Sequence, residues 1–112
     1  MLEIVGLSKS FDLHGARHVV LTDISLAIPT GVSIGLVGES GSGKSTLIRC
    51  ALGLQKPDAG VVRFDGRPLQ SLGRADRLRF RREVQLVFQD PFASLNPRMT
   101  VEELIAEGLI IH

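Results

Sequence analysis

The sequence predicts an α/β fold, in which strands and helices share one hydrophobic core. Short apolar-rich segments with a period of two predict strands, segments with apolar residues at helical spacing predict helices, and a glycine-rich loop joins the two kinds. The 112 residues are 44% hydrophobic and 22% charged, which is typical of a chain that buries a core. This length allows one domain or part of one.

The first third of the chain is predicted to be β structure. Residues 2–7 and 19–21 are short, apolar-rich candidate strands, and residues 24–28 alternate apolar and small side chains as a half-buried strand does. Residues 29–31, Pro-Thr-Gly, then break the chain. Residues 32–37 are mostly apolar, which predicts a strand covered on both faces.

A helix and a hairpin are predicted next. Residues 44–52 carry one apolar stripe, and Gly53 stands where a helix C-terminus favours glycine. Residues 61–64 form an apolar-rich strand that runs into Asp65 and Gly66, a strong signal for a two-residue hairpin turn.

The last part of the chain is predicted to contain two helices and a strand. Residues 74–82 fit a short helix and residues 84–88 a strand, while Thr100 with Glu103 forms a capping box that opens the final helix. Five arginines between residues 74 and 82 predict a solvated helix face or a contact with another subunit. With 13 basic against 12 acidic residues overall, we expect no nucleic-acid partner.

A glycine-rich loop carries the main functional prediction. Residues 38–45 fit the pattern G-x-x-x-x-G-K-[ST] at every fixed position, between an apolar segment and an amphipathic helix. Glycines let backbone amides close around an oxyanion, and the helix N-terminus directs its free amides at the same phosphates. We expect the lysine to reach the β- and γ-phosphates and the serine hydroxyl to bind Mg²⁺. The residues predicted to bind a nucleoside triphosphate are Gly38, Glu39, Ser40, Gly41, Ser42, Gly43, Lys44, Ser45 and Thr46.

Three segments resemble the ATP-binding subunits of ABC transporters. A GTP-binding protein would carry an N-K-x-D motif, which this chain lacks. Residues 7–11 (LSKSF), residues 38–47 and residues 87–98 (VFQDPFASLNPR) instead resemble that family, the last segment its dipeptide, oligopeptide and nickel importer branch. The resemblance implies the P-loop NTPase core of an ABC ATPase with an N-terminal antiparallel β subdomain, and ATP with Mg²⁺ as ligands.

The same resemblance implies roles for two further residues. Phe11 would stack on adenine, although a core residue at a strand end remains an alternative. Gln89 would be the Q-loop glutamine, a catalytic residue that approaches Mg²⁺ and the attacking water. Residues 86–90 could instead be a Walker B strand ending at Asp90, but Gln89 interrupts the apolar run and Pro91 stands where a catalytic glutamate would follow.

Partners and location are implied in the same way. The segment that begins at Phe92 and ends at Met99 would dock transmembrane permease subunits, with a loop folded onto its own domain as the alternative. A second ATPase domain would complete the catalytic site. A lone cysteine, Cys50, favours a reducing compartment, and the sequence has no apolar run of the roughly 20 residues that a membrane span requires. The resemblance implies a cytoplasmic protein that is peripheral on the inner face of the cell membrane.

Several family motifs are absent from the sequence. There is no Gly-Gly dipeptide, hence no LSGGQ signature, and neither a Walker B carboxylate pair nor a switch histidine follows. We therefore expect residues 1–112 to be the N-terminal part of one ATPase domain that binds nucleotide but does not turn it over alone. A nucleotide-binding module without hydrolysis, or part of a soluble ABC ATPase, remains an alternative.

Overall fold

The computed structural model of the protein describes residues 1–90 and 95–111. The chain divides into two compact units, the first spanning Met1–Gly73 and the second beginning at Arg74. The described part of the first unit contains an antiparallel sheet, one α-helix and a short 3₁₀ helix, Leu69–Ser71, and that of the second contains two α-helices. This agrees with the predicted α/β class, and each unit is described separately below.

The sheet of the first unit has four antiparallel strands in the order β2-β1-β3-β4. They are β1 (Leu2–Leu13), β2 (Ala16–Ile28), β3 (Ala59–Phe64) and β4 (Arg67–Pro68). The long β1–β2 hairpin forms one side of the sheet, and β3 pairs with the other edge of β1. The antiparallel N-terminal β subdomain implied by the resemblance is therefore confirmed.

The hairpin strands are longer than the sequence predicts. β1 continues to Leu13, and the two predicted segments 19–21 and 24–28 form one strand, β2. The β1–β2 register shifts at several places, and Asp23 adopts a positive φ of 47° while its amide donates to Ser8 Oγ at 3.0 Å. Such irregularities interrupt the period of two, so sequence pattern alone separated one strand into two.

The predicted hairpin turn between β3 and β4 is confirmed. Asp65 and Gly66 both have positive φ, 49° and 80°, as a type I′ turn requires. Phe64 pairs with Arg67 directly across this turn. Aspartate tolerates the left-handed region better than most residues and glycine adopts it freely, so these two residues determine the register of the hairpin.

The core of the first unit lies between the sheet and the helix α1 (Lys44–Ala51). The predicted helix is thus confirmed, and Gly53 follows it with a φ of 72°. The helix contributes two buried side chains, and the sheet contributes the rest by alternation along its strands. The buried cluster consists of Ile4, Leu7, Leu21, Leu47, Cys50 and Val62.

Two predicted strands do not form. Residues 32–37 and 84–88 contain no strand, and Val37 and Val87 are 96% and 89% exposed. A strand is stable only when a neighbour accepts and donates its backbone hydrogen bonds. No described residue pairs with either segment, so an apolar sequence was not sufficient to form a strand.

The second unit contains α2 (Arg74–Glu83) and α3 (Val101–Ile111), both near their predicted bounds. Phe80 is the buried residue of α2. Thr100 and Glu103 form the predicted capping box, since the Glu103 amide donates to Thr100 Oγ1 at 3.2 Å and the Thr100 amide to Glu103 Oε2 at 2.7 Å. Among the described residues, no helix combines the length and hydropathy required to cross a bilayer.

Candidate functional site

The loop of residues 38–43 is shaped by a tight turn and two left-handed glycines. The Ser42 amide donates to the carbonyl of Glu39 at 3.1 Å, which closes the turn. Gly41 and Gly43 have φ values of 81° and 97°, which side-chain-bearing residues adopt only with strain. Alternation of ordinary and left-handed residues lets successive amides converge on one concavity, the geometry that binds anions.

Gly43 also allows the loop to approach the sheet closely. A Cβ at this position would lie 3.0 Å from the carbonyl oxygen of Val20, 3.0 Å from Leu21 Cδ2 and 3.1 Å from Val20 Cγ1. The second fixed glycine of the motif is therefore required twice, by its φ and by its contact with β2. This contact fixes the loop against the hydrophobic core.

The N-terminus of α1 is electrostatically uncompensated. Gly43 is its N-cap and offers no side-chain acceptor, and the first turn holds no acidic residue. The first helical backbone bond runs from Leu47 N–H to the Gly43 carbonyl at 2.9 Å, which leaves the preceding amides of the turn without intrahelical partners. These amides and the positive end of the helix dipole form a site suited to an anion.

Lys44 brings a full positive charge to the same loop. Its Nζ donates to the carbonyl oxygens of Gly38 and Glu39, the latter at 3.1 Å, so the side chain folds back across the loop. Both acceptors are neutral, and the ammonium charge is not cancelled by them. Ser45 is exposed in the first turn of α1, and Thr46 is half-buried beside it. The binding role of residues 38–46 stays a prediction.

Phe11 lies in the same unit, on β1, and it pairs with the part of β2 that the loop approaches. It is half-buried and pairs with His18 across the β1–β2 hairpin. Val20, which Gly43 approaches, is only two residues further along β2, or about 7 Å at the usual strand rise. The hairpin therefore places the backbone of Phe11 within a few residues of the point where the loop contacts β2.

Sequence reasoning missed two residues beside Phe11. Lys9 Nζ lies 5.1 Å from the centroid of the Phe11 ring and 3.4 Å from Asp58 Oδ1. The i, i+2 spacing of Lys9 and Phe11 in a strand places both on one face, a signal that was available in the sequence. Asp58 comes from a distant segment before β3, and no local pattern connects it with Phe11.

Gln89 and the segment after it belong to the second unit. Gln89 and Asp90 are exposed in a non-helical segment that follows α2. Their relation to the loop stays a prediction. Of the predicted docking segment, Phe92 and the two residues after it lie outside the described residues, whereas Leu95 is exposed and Met99 half-buried.

Nothing in the described part of the chain suggests an all-protein metal site. There, no group of three or more His, Cys, Asp or Glu residues could hold an ion. Cys50 is 1% exposed, and burial raises the pKa of its thiol above the ordinary value. A neutral, buried thiol is a poor metal ligand and a poor nucleophile, so Cys50 serves as a core residue.

Comparison with known proteins agrees with this geometry. The family model described as ABC transporter matches residues 21–109. A Brucella ovis protein that bears the name of a peptide import ATP-binding protein is 46% identical over 99% of this chain and 35% of its own length. The nickel import ATP-binding protein NikE of Escherichia coli K12 is 42% identical over 97% of this chain and 42% of its own length.

A solved structure shares the fold. The dimeric structure of MJ0796, a bacterial ABC transporter cassette, superimposes with a TM-score of 0.83 at 29% identity, covering 98% of this chain and 47% of that one. A second structure of MJ0796 represents a post-hydrolysis state bound to ADP and phosphate. The chain spans about a third of the length of the Brucella relative, which is 35% covered.

Proposed function

The chain belongs to the ABC transporter family, and we propose that residues 38–46 bind the phosphates of ATP. The observation that carries the proposal is the uncapped N-terminus of α1, which follows a loop with two left-handed glycines and carries Lys44. Its positive potential is not neutralised by an acidic residue in the first turn. A polyanion supplies the acceptors that these amides lack.

Lys44 contributes a hydrogen-bond donor that can move from the loop to the phosphates. In the described conformation its ammonium donates to two loop carbonyls, which hold the side chain over the loop. When a triphosphate enters, the ammonium exchanges these neutral acceptors for anionic oxygens. The ammonium and the phosphate oxygens carry opposite charges, and their Coulomb attraction favours the exchange.

The residues present suit Mg²⁺ in its usual role beside phosphates. Mg²⁺ takes few protein oxygens and completes its shell with water and phosphate, so a single exposed hydroxyl such as that of Ser45 is an adequate ligand. Gln89 is the second proposed ligand, on the strength of the resemblance alone. When bound, the ion would neutralise charge on the phosphates and fix their geometry.

The adenine base is assigned to Phe11. The partial exposure of its ring supports this assignment, as does its pairing with His18, two residues from the Val20 that Gly43 approaches. Stacking uses the face of the ring and is worth about 1–3 kcal/mol per base. The proposed nucleotide therefore extends from the β1–β2 hairpin at its base to α1 at its phosphates.

In a longer protein of the relatives' length, the proposed role is that of an ATPase that energises import of peptides or nickel. Residues 1–112 would form the N-terminal part of the ATPase domain, and the remaining part would supply the signature, Walker B and switch residues. A second ATPase domain would complete the site, and the segment ending at Met99 would contact permease subunits on the inner face of the membrane. The relatives' names and the dimeric MJ0796 cassette support these assignments.

Titration calorimetry tests nucleotide binding. We expect heat on addition of MgATP, and a Kd raised about 10- to 100-fold by Lys44→Met, because a hydrogen bond to a charged group contributes about 1.5–3 kcal/mol. Lys56→Met is the matched control, since Lys56 is an exposed lysine of the same unit outside the loop. Absence of heat with the folded chain, or equal affinity of the two variants, would refute the proposal.

A further inference from the structure

The Lys9 side chain is mostly covered, although lysine side chains on a strand are usually exposed. Its side chain is only 16% exposed, and its ammonium lies 5.1 Å above the ring centroid of Phe11. A cation within about 6 Å of a ring centroid is attracted by the negative face of the ring. One face of the Phe11 ring is therefore occupied by a positive charge.

A carboxylate holds this lysine in place. Asp58 Oδ1 lies 3.4 Å from Lys9 Nζ, and Asp58 Oδ2 accepts from the Ser10 amide at 2.7 Å and from Ser10 Oγ at 2.9 Å. Arg17 Nε in turn donates to Ser10 Oγ at 3.0 Å. The two Ser10 hydrogen bonds, followed by the Lys9 charge, hold the pKa of Asp58 below its ordinary value, so the carboxylate is ionised at neutral pH.

The segment before β3 is thereby joined to the strand that carries the aromatic ring. The Asp58 amide donates to the Ser8 carbonyl at 2.9 Å, so both ends of Asp58 are bound to β1. Asp58 fixes Lys9, and Lys9 fixes one face of Phe11. These contacts favour one orientation of the ring before any ligand arrives.

We propose that Lys9 and Asp58 are positioning residues for base recognition, which hold the Phe11 ring so that its other face stacks on the purine of the nucleotide. This inference rests on the proposed function, in which Phe11 binds the base. A preordered ring lowers the entropic cost of binding. Because Asp58 retains the ammonium, Lys9 does not contact the phosphates.

The test separates base binding from phosphate binding. Lys9→Met keeps an unbranched side chain and removes the charge, and Asp58→Asn removes the anchor. For each variant, Kd is measured by calorimetry for MgATP and for magnesium triphosphate, which has no base. We expect a Kd for MgATP that is about two- to fivefold higher, as the cation–π contribution at exposed sites implies, and an unchanged Kd for triphosphate.

Two results would overturn the inference. If Lys9→Met weakens triphosphate and MgATP equally, Lys9 acts on the phosphates; if it weakens neither, the ring needs no positioning. The conclusion depends on Lys9→Met, because Asp58→Asn breaks the contacts of Asp58 with both Ser10 and Lys9. The Asp58→Asn variant is interpreted only if its circular dichroism spectrum matches that of the parent.

Phe11→Leu distinguishes failure of this inference from failure of the proposed function. If Phe11→Leu weakens MgATP but Lys9→Met does not, Phe11 binds the base and the positioning role is wrong. If the parent chain binds neither MgATP nor triphosphate, both proposals fall. If the inference is right, the double variant that combines Lys9→Met with Phe11→Leu binds MgATP no more weakly than Phe11→Leu alone, since the lysine acts only through the ring.

Discussion

Gly43→Ala should destabilise the first unit far more than the matched change Gly41→Ala. Both glycines have positive φ, 97° and 81°, so each alanine carries the backbone cost of the left-handed region, about 1–2 kcal/mol. Their surroundings differ. The added methyl at Gly43 meets Val20 and Leu21 atoms at 3.0–3.1 Å, whereas nothing lies within 4 Å of the corresponding position at Gly41.

The magnitude follows from these two contributions. Val20 lies in β2 between Val19 and Leu21, which both pair with β1, so the strand and loop must separate to admit the methyl. Overpacking of this kind typically costs about 1–3 kcal/mol. We therefore expect a loss of roughly 2–5 kcal/mol for Gly43→Ala and of about 1–2 kcal/mol for Gly41→Ala.

Urea unfolding followed by far-ultraviolet circular dichroism measures the difference, because the chain has neither tryptophan nor tyrosine for fluorescence. The difference between the two variants isolates the approach of the loop to β2. Equal losses of stability in both would show that only the backbone conformation matters. A Gly43→Ala variant as stable as the parent would refute the described packing of the loop.

Three further changes follow from the contacts described above. The folded-state pKa of Asp58 is lowered, so its stabilising contribution is present above about pH 4 and is lost as pH falls through the folded pKa. The free energy of unfolding, measured by urea unfolding between pH 5 and pH 3, should therefore fall less steeply with acid in Asp58→Asn than in the parent. The Cys50 thiol should react with iodoacetamide at pH 8 only after denaturation, and rapid native labelling would contradict its burial. Thr100→Ala should speed hydrogen exchange of the Glu103 amide about fivefold, the equivalent of a lost cap of about 1 kcal/mol, and an unchanged rate would contradict the capping box.

Elements with a local cause were predictable from the sequence. The Asp65-Gly66 turn, the capping box at Thr100 and the helix after Gly43 each depend on residues within one turn of chain, and all three are confirmed. The loop of residues 38–43 was predictable for the same reason, because its glycines and the helix that follows are adjacent in the sequence.

Elements with a distant cause were not predictable in the same way. Whether residues 32–37 form a strand depends on hydrogen-bonding partners, and none of the described residues supplies them, so an apolar run was insufficient. The contact between Asp58 and Lys9 joins the segment before β3 to β1, and no periodicity in the sequence indicates a contact between residues so far apart. β2 was divided because the bulge at Asp23 interrupts its alternation.

We propose above all that the backbone amides between Gly41 and Thr46 enclose a polyphosphate. Proton–nitrogen correlation spectra of the isotope-labelled chain, recorded as magnesium triphosphate is added, test it directly. We expect the largest shifts at the amides of Gly41, Gly43, Lys44 and Ser45, which lie in the loop and the first turn of α1. Saturable shifts confined to other regions, or no shifts in a folded sample at millimolar triphosphate, would contradict it.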